Sequence, residues 1–330
     1  MLTNGMNHDV SFSAELALPE PLKLGTRGSS LARWQADAVA AALGQRGISV
    51  EIVLIETTGD RQRDPIVYMG AQGVFTREIQ RCLLDGTIDL AVHSLKDLPT
   101  EPVPGLRLAA TLPRGPVRDA FLSFHRDTLE ELPKGAVIGT GSLRRRTQIQ
   151  NRYGNRFELR DIRGNVETRI EKLRRGEYDA LILAEAGLRR LGLEPYIRSL
   201  LEPTLFMPAV GQGAIGLEIR ENDHRTAERI APIGDRNTFA AVTAERAMLH
   251  TLEGGCIAPI AALGRITMCD DSPRLFLQGR ILSPDGKTML EAEDHDVPDQ
   301  AETLGYRLAQ TLLQNGADRI VEQIRSLRAQ

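Results

Sequence analysis

The sequence has few aromatic residues and no long apolar run, and both shortages exclude classes of protein. Only one Trp, five Tyr and eight Phe occur among 330 residues, whereas proteins that bind single-stranded nucleic acid place aromatic side chains among basic ones so that bases can stack. No apolar run approaches the roughly 18 residues of a membrane span, and no basic start followed by an apolar stretch marks a secretory signal. We therefore expect no membrane partner, and a nucleic-acid partner is the less favoured alternative.

Cysteine is also scarce. The chain has three cysteines, Cys82, Cys256 and Cys269, and no two of them have CxxC spacing. We therefore expect no disulfide framework, and we expect a reducing, cytoplasmic compartment. Cys82 is interpreted as a small core hydrophobe. Cys256 follows two glycines, which would expose its sulfur for reaction or covalent attachment; the residues alone leave that role and an ordinary loop cysteine equally open.

Lysine is rare where arginine is abundant: five lysines stand against 36 arginines in a chain of net charge −3. From Arg144 to Arg190 there are 12 arginines plus Lys172 against seven acidic residues, a net charge of +6. Arginine binds carboxylates bidentately and keeps its charge, so this basic window predicts an anionic ligand. Arg174 and Arg175 are expected on a solvated face.

Alternating strand and helix patterns predict two doubly wound α/β domains with mostly parallel sheets, followed by a smaller α+β domain. Residues 1–20 are expected to be a loose, flexible N-terminal extension. The first helix is predicted to pack through Leu31, Trp34, Ala38 and Ala41. The pattern restarts near residue 114, and beyond about residue 235 a long helix precedes three strands and two helices. Two α/β domains imply a ligand cleft between them.

Two strand-to-helix loops share one composition. Residues 25–30 read GTRGSS and residues 139–146 read GTGSLRRR, combining small residues, hydroxyls and arginine where free helix amides bind anions. Ser29 and Ser142 could each merely cap a helix, but the repetition in two domains favours anion binding. In a third loop Arg163 ends a strand and Arg169 begins a helix.

The segment 92–99, VHSLKDLP, carries the strongest catalytic signal. A buried strand leads directly into Ser94, Lys96 and Asp97. Lys96 and Asp97 could form a surface ion pair of little consequence, and His93 taken alone is expected to be structural. A single carboxylate among many cations stays ionised, however, and can stabilise a cation or move a proton. Asp97 is therefore the candidate acid–base residue.

Together these segments resemble the porphobilinogen deaminase (hydroxymethylbilane synthase) family. The matching stretches cover nearly the whole chain from residue 22 and keep the family order: GTRGSSLARWQ, VHSLKDLP, GTGSLRRR, IRGNVETR, DALILAEAGLRRLGL, PAVGQGAIGLE and LEGGCIAPI. The resemblance implies a fold like that of periplasmic binding proteins. It implies domain 1 over 21–113 and 210–231, domain 2 over 114–209 and domain 3 over 235–330.

The resemblance also implies a transferase of heme and other tetrapyrrole biosynthesis, in which four porphobilinogen molecules condense head to tail with loss of ammonia. Growth starts on a dipyrromethane primer attached through Cys256, and Asp97 is the catalytic residue beside the growing chain. The implied cofactor-binding residues are Ser94, Lys96, Ser142, Arg144, Arg145 and Arg169. The implied substrate-binding residues are Arg27, Ser29, Arg163 and Arg190.

The chain departs from the family pattern in its glycine-rich segment 70–75, where Gln72 stands in place of a common lysine. Any cationic contact there would be lost or fall to Arg61 or Arg63, so slower or looser control of a mobile lid is expected rather than lost activity. The alternative interpretation is a two-domain receptor for a polycarboxylate anion, which would need neither Asp97 nor Cys256. A monomer is the default.

Overall fold

The computed structural model of the protein describes residues 20–57, 76–252 and 258–329. The predicted N-terminal extension lies outside them up to residue 19, as do Arg61, Arg63, Gln72 and Cys256. No helix within the described ranges is long and apolar enough to cross a membrane.

The described strands and helices form two five-stranded sheets and one three-stranded sheet. The strands are β1 (Leu22–Thr26), β2 (Val50–Leu54), β3 (Leu90–Ser94), β4 (Leu106–Thr111), β5 (Asp119–Leu122), β6 (Val137–Gly139), β7 (Glu158–Arg160), β8 (Ala180–Ala184), β9 (Ser199–Leu201), β10 (Ile215–Arg220), β11 (Ile260–Cys269), β12 (Ser272–Leu282) and β13 (Met289–Asp296). The helices are α1 (Ser30–Gly44), α2 (Arg77–Leu84), α3 (Leu143–Tyr153), α4 (Val166–Arg174), α5 (Glu185–Arg190), α6 (His224–Ile230), α7 (Arg236–Thr251), α8 (Ala301–Leu312) and α9 (Asp318–Ala329).

The two larger sheets share one topology. The first has the order β2-β1-β3-β10-β4 and the second β7-β6-β8-β5-β9. In each sheet two pairings are parallel and two antiparallel, because β10 runs against β3 and β4, and β5 runs against β8 and β9. Four strands of each sheet therefore run in one direction and one strand, β10 or β5, is reversed, so the expectation of mostly parallel sheets is confirmed with one antiparallel strand in each. The antiparallel strands follow segments that cross between the sheets and therefore enter from the opposite end.

Helix α1 follows the GTRGSS loop as its sequence predicts but buries a different face. Ser29 caps its first turn, and Gln35, Ala36, Val39 and Leu43 are buried. Trp34 is 41% exposed, so the predicted face through Leu31 and Trp34 was wrong. Alanines occur on several faces of this helix. The spacing of apolar residues alone therefore does not show which of two adjacent faces is buried.

The third sheet is the predicted α+β unit. Its strands form an antiparallel meander, β11-β12-β13, and α7, α8 and α9 supply the apolar side chains that pack with it. Asp235 begins α7 by accepting a hydrogen bond from the Thr238 amide at 2.7 Å. The long helix therefore begins at Arg236, beside the predicted boundary near residue 235.

Two segments cross between the first and second sheets, residues 112–118 and residues 202–214, and they lie side by side. The Gly115 amide donates to the Gly213 carbonyl at 3.1 Å. Gly213 has φ of 85°, and a Cβ there would stand 2.6 Å from the Gly115 oxygen, so this approach requires glycine. The fully buried carboxylate of Glu245, on α7, accepts from Arg114 at 2.6 Å and from the Gly211 amide at 2.7 Å. The third unit therefore holds both crossings.

Candidate active site

The VHSLKDLP segment forms the end of β3 and a 3₁₀ turn over Leu95–Asp97. Leu95 is buried and its amide donates to the Ala214 carbonyl at 3.1 Å. The Leu98 amide closes the turn on the Leu95 carbonyl at 3.2 Å. This backbone leaves the Asp97 carboxylate exposed and Lys96 half-buried.

Ser94 is held in place by α1. Its hydroxyl donates to Gln35 Oε1 at 3.1 Å and accepts from Gln35 Nε2 at 2.8 Å. Gln35 is buried, so the hydroxyl has a defined position at the mouth of the turn. One of its two acceptor positions stays free for a ligand donor.

Lys96 lies among charges of both signs. Burial, together with the charges of Arg145 and Arg144, lowers the pKa of Lys96 to about 8, although Asp97 and Asp119 act in the opposite direction. In the described part of the chain its ammonium forms no hydrogen bond or ion pair. An added carboxylate could therefore pair with an ammonium group that no described carboxylate binds.

Arg144 and Arg145 are buried rather than free in a loop, and both bind Asp119. Arg144 Nη2 and Arg145 Nη2 each lie 2.8 Å from one Asp119 oxygen, and Gln212 Nε2 adds a third donor at 2.9 Å. Burial alone would raise the pKa of Asp119, but the two guanidinium groups overcome it and hold that pKa well below its usual range. The unit of two arginines and one aspartate keeps a charge of +1.

Each of these arginines has one more contact, and each has an unused donor. Arg144 Nη1 donates to the Met207 carbonyl at 2.5 Å and Arg145 Nη1 to the Ile182 carbonyl at 2.9 Å. The Nε atoms of both are buried without a hydrogen-bond partner among the described residues. An unpaired buried donor costs roughly 1–3 kcal/mol, so these two Nε atoms lower the stability of the unit.

The two predicted anion loops both cap helices. Ser29 Oγ accepts from the Ala32 amide and Ser142 Oγ from the Arg145 amide, each at 3.4 Å. The capping interpretation is therefore confirmed for both serines. A capping serine accepts a hydrogen bond and can still donate its hydroxyl hydrogen to a ligand. The predicted contacts of Ser29 and Ser142 with an anionic ligand therefore stay predictions. Arg27 lies within the first loop and is half-buried.

Arg163 and Arg169 follow β7. Arg163 Nε binds the exposed Asp161 carboxylate at 2.8 Å, whereas Arg169 Nε donates to the Gly164 carbonyl at 2.8 Å and forms no ion pair with a described residue. Burial, aided by Arg145 and Arg163, lowers the pKa of Arg169, and Asp97 is among the groups that raise it. Arg169 thus belongs to the same electrostatic cluster as Lys96.

Arg190 joins the two larger sheets. It ends α5, its Nη2 donates to the Gly213 carbonyl at 2.6 Å, and its guanidinium carbon lies 5.5 Å from the centre of the Trp34 ring on α1. Burial lowers the pKa of Arg190 to about 10, since it forms no ion pair within the described ranges. Trp34 and Gln35, neighbours in sequence, therefore support Arg190 and Ser94.

The sequence-based predictions have unequal outcomes here. The charges of Asp97, Arg144 and Arg145 act on Lys96, and those of Asp97, Arg145 and Arg163 act on Arg169. Cys256 lies outside the described residues. His93 is structural as predicted, with Nε2 3.0 Å from the buried Glu218. Arg174 and Arg175 are exposed and pair with Glu171, also as predicted.

Sequence reasoning missed Asp119, Gln35, Trp34 as an arginine support, and Gln212. Asp119 had one available signal: it is an acidic residue at the first position of a fully buried strand. Such a residue needs a cationic partner. Nothing local identified Arg144 and Arg145 as that partner.

Comparisons with known proteins show what the chain is similar to. Residues 22–228 match a family model described as "Porphobilinogen deaminase, dipyromethane cofactor binding domain", and residues 239–314 match "Porphobilinogen deaminase, C-terminal domain". The chain is 44% identical over 315 residues to a porphobilinogen deaminase of Acidithiobacillus ferrooxidans, covering 94% of this chain and 100% of that one. It is 43% identical over 312 residues to one of Bordetella parapertussis, covering 94% and 98%.

Solved structures with a similar arrangement include two binding proteins. A periplasmic substrate-binding protein of an ABC transporter from Coxiella burnetii has a TM-score of 0.42 and 14% identity, covering 68% of this chain and 96% of that one. A nutrient-binding protein from Burkholderia cenocepacia, bound to methionine, has a TM-score of 0.40 and 13% identity, with coverages of 64% and 90%.

Proposed function

Because the chain belongs to the porphobilinogen deaminase family, we propose that the cluster around Lys96 and Asp97 is where it performs that family's reaction. The enzyme is a transferase that condenses four porphobilinogen molecules head to tail, releases ammonia at each step and yields hydroxymethylbilane for tetrapyrrole biosynthesis. The residue roles below are inferred from the contacts of the described residues.

The observation that carries the proposal is a set of cations without carboxylate partners. Within residues 20–57, 76–252 and 258–329, Lys96, Arg169 and Arg190 form no ion pair, and burial lowers the pKa of each. Keeping such charges buried is costly unless an anion joins them. Each porphobilinogen unit brings an acetate and a propionate arm, so a growing chain supplies several carboxylates to match these cations.

The same region suits the dipyrromethane cofactor. The Lys96 ammonium, which has no carboxylate partner among the described residues, lies close to the +1 unit of Arg144, Arg145 and Asp119, and this positive charge fits a ligand that carries several carboxylates. A bound dipyrromethane supplies the acceptor that the incoming pyrrole units extend. Ser94, Ser142 and Arg169 are assigned to hold it beside those three cationic residues, and its attachment is assigned to Cys256.

Asp97 is assigned the catalytic role. Its carboxylate is exposed at the end of β3, in the field of Lys96 and Arg169. There it can accept hydrogen bonds from pyrrole N–H groups, stabilise the positive charge that develops as ammonia leaves, and take up the proton released on coupling. Arg27, Ser29, Arg163 and Arg190 are assigned to the incoming substrate.

Two measurements test the proposal. The intact chain should carry an excess mass equal to a dipyrromethane, and Cys256→Ser should lack it; an unmodified parent chain, after primer-free enzyme has been excluded, contradicts the assignment. Asp97→Asn should bind substrate but lose at least about 100-fold in turnover, within the range of general acid–base contributions. Asp299→Asn is the control, because Asp299 is likewise exposed in a 3₁₀ turn. Equal turnover in the two variants would refute the role of Asp97.

The alternative function, a receptor for a polycarboxylate anion, is supported only by likeness of fold. It predicts that the intact chain carries no additional mass from a covalently attached group. The monomeric state and the cytoplasmic compartment remain parts of the proposal. A light-scattering mass of about twice 36.3 kDa would contradict the monomeric state.

A further inference from the structure

Arg246 of α7 binds the chain immediately after Asp97. Its Nη1 donates to the Leu98 carbonyl at 2.9 Å and its Nη2 to the Pro99 carbonyl at 2.7 Å. One guanidinium therefore holds two consecutive backbone carbonyls that lie 148 and 147 positions away in sequence. Arginine presents its donors as a rigid planar fork, so these two contacts together fix an orientation and not only a distance.

A second contact comes from the same face of α7. Val242, one helical turn before Arg246, is fully buried and packs in one cluster with Leu95 and Leu98. Leu95 and Leu98 flank the Lys96–Asp97 pair on both sides. The turn is thus held from α7 by apolar packing and by two hydrogen bonds, while the Asp97 side chain itself stays exposed.

The position of Asp97 depends on the backbone of this turn. The amide of Leu98 closes the turn, its carbonyl is bound by Arg246, and Pro99 restricts the next φ angle. If Arg246 is replaced, the carboxyl side of the turn loses these two hydrogen bonds to α7. A shift of about 1 Å in a reacting group can cost up to about 100-fold in rate.

We propose that Arg246 is a positioning residue for Asp97, through which the third unit sets the geometry of the catalytic carboxylate. Arg246 acts on the Leu98 and Pro99 carbonyls and not on substrate. The inference rests on the role proposed above for Asp97. Its neighbour Glu245 holds both crossing segments, so two consecutive residues of α7 connect the crossings and the catalytic turn.

The experiment compares Arg246→Lys with Arg156→Lys in the full, primer-loaded enzyme. Arg156 is a matched control, because its Nη2 also donates to two backbone carbonyls, those of Glu130 and Leu132, at 2.6 and 2.7 Å. Lysine keeps the charge but loses the planar fork. Arg246→Lys should lower kcat about tenfold and leave KM within about twofold, whereas Arg156→Lys should leave both near the parent values.

Val242→Ala is the second variant and weakens the same turn without removing a hydrogen bond; it should also lower kcat more than it raises KM. Intact mass and melting temperature are measured for every variant. Unchanged kcat in Arg246→Lys, a rise in KM without a fall in kcat, or loss of the primer mass would each overturn the inference. Asp97→Asn distinguishes failure of this inference from failure of the catalytic role proposed for Asp97. If it is impaired while Arg246→Lys is normal, only this inference fails; if it retains full turnover, the role of Asp97 fails and this inference with it.

Discussion

Replacing Asp119 by asparagine removes a buried negative charge while keeping the shape of the side chain. In the parent protein its two oxygens accept from Arg144, Arg145 and Gln212 at 2.8, 2.8 and 2.9 Å. An asparagine amide offers one oxygen acceptor and one NH₂ donor. At least one of the three donors would then face another donor, and the two buried arginines would lose the counter-ion that they share.

The magnitude follows from the burial of the group. Asp119 is fully buried and Arg144 and Arg145 are 4% and 7% exposed, so solvent cannot compensate for the lost charge. Breaking a buried ion pair by removing one partner costs about 3–5 kcal/mol. At roughly 2–4 °C per kcal/mol for a large domain, we expect the melting temperature to fall by roughly 10 °C.

Differential scanning calorimetry at pH 7 measures this fall, because the several units of the chain need not unfold in one transition. Glu158→Gln is the matched control. Glu158 binds Arg160 at 2.6 Å, but both side chains are about half exposed, 52% and 51%, and exposed pairs contribute little.

The pH dependence gives an independent check. Since the pKa of Asp119 lies below its ordinary value of 3.8, its stabilising effect is complete above about pH 4 and is lost only as the pH falls through the lowered pKa. The difference between the parent and Asp119→Asn should therefore be constant from pH 8 to 5 and shrink only at more acidic pH. A fall of less than about 2 °C at pH 7, or a difference that already shrinks between pH 8 and 6, refutes this account of the site.

Two further predictions concern Lys96 and Trp34. In a primer-free Cys256→Ser background, Lys96→Met should raise the free energy of unfolding by about 2 kcal/mol at pH 7, because Lys96 has a lowered pKa of about 8. Below that pH the charge of Lys96 destabilises the folded state. The gain in the free energy of unfolding should therefore disappear as the pH rises from 8 to beyond 10, where the lysine is neutral in both states. A gain that persists at high pH contradicts the lowered pKa of Lys96. Trp34 is the only tryptophan of the chain, so its emission should change when substrate binds Arg190. Trp34→Leu should raise KM roughly 2- to 10-fold through loss of the cation–π contact; an unchanged KM together with unchanged emission in the parent would contradict the role of Arg190.

Much of the architecture could be predicted from the sequence, because helices, strands and caps depend on residues a few positions apart. The strand Leu22–Thr26 and the long helix α7 are examples, as are the capping roles of Ser29 and Ser142. The resemblance of seven ordered motifs also identified the family. The one reversed strand in each of the two larger sheets was not predicted, since strand direction depends on where a crossing segment re-enters a sheet.

What only the tertiary structure decided is the partner of each charge. The sequence by itself determined that a basic window exists and that Asp97 follows a buried strand. It did not determine that Arg144 and Arg145 are partly neutralised by Asp119, that Lys96 and Arg190 have no described carboxylate partner, or that Arg246 reaches the turn after Asp97. The physical reason is that local backbone structure depends on neighbouring residues, whereas the energy of a buried charge depends on which distant groups the fold places within a few ångströms of it.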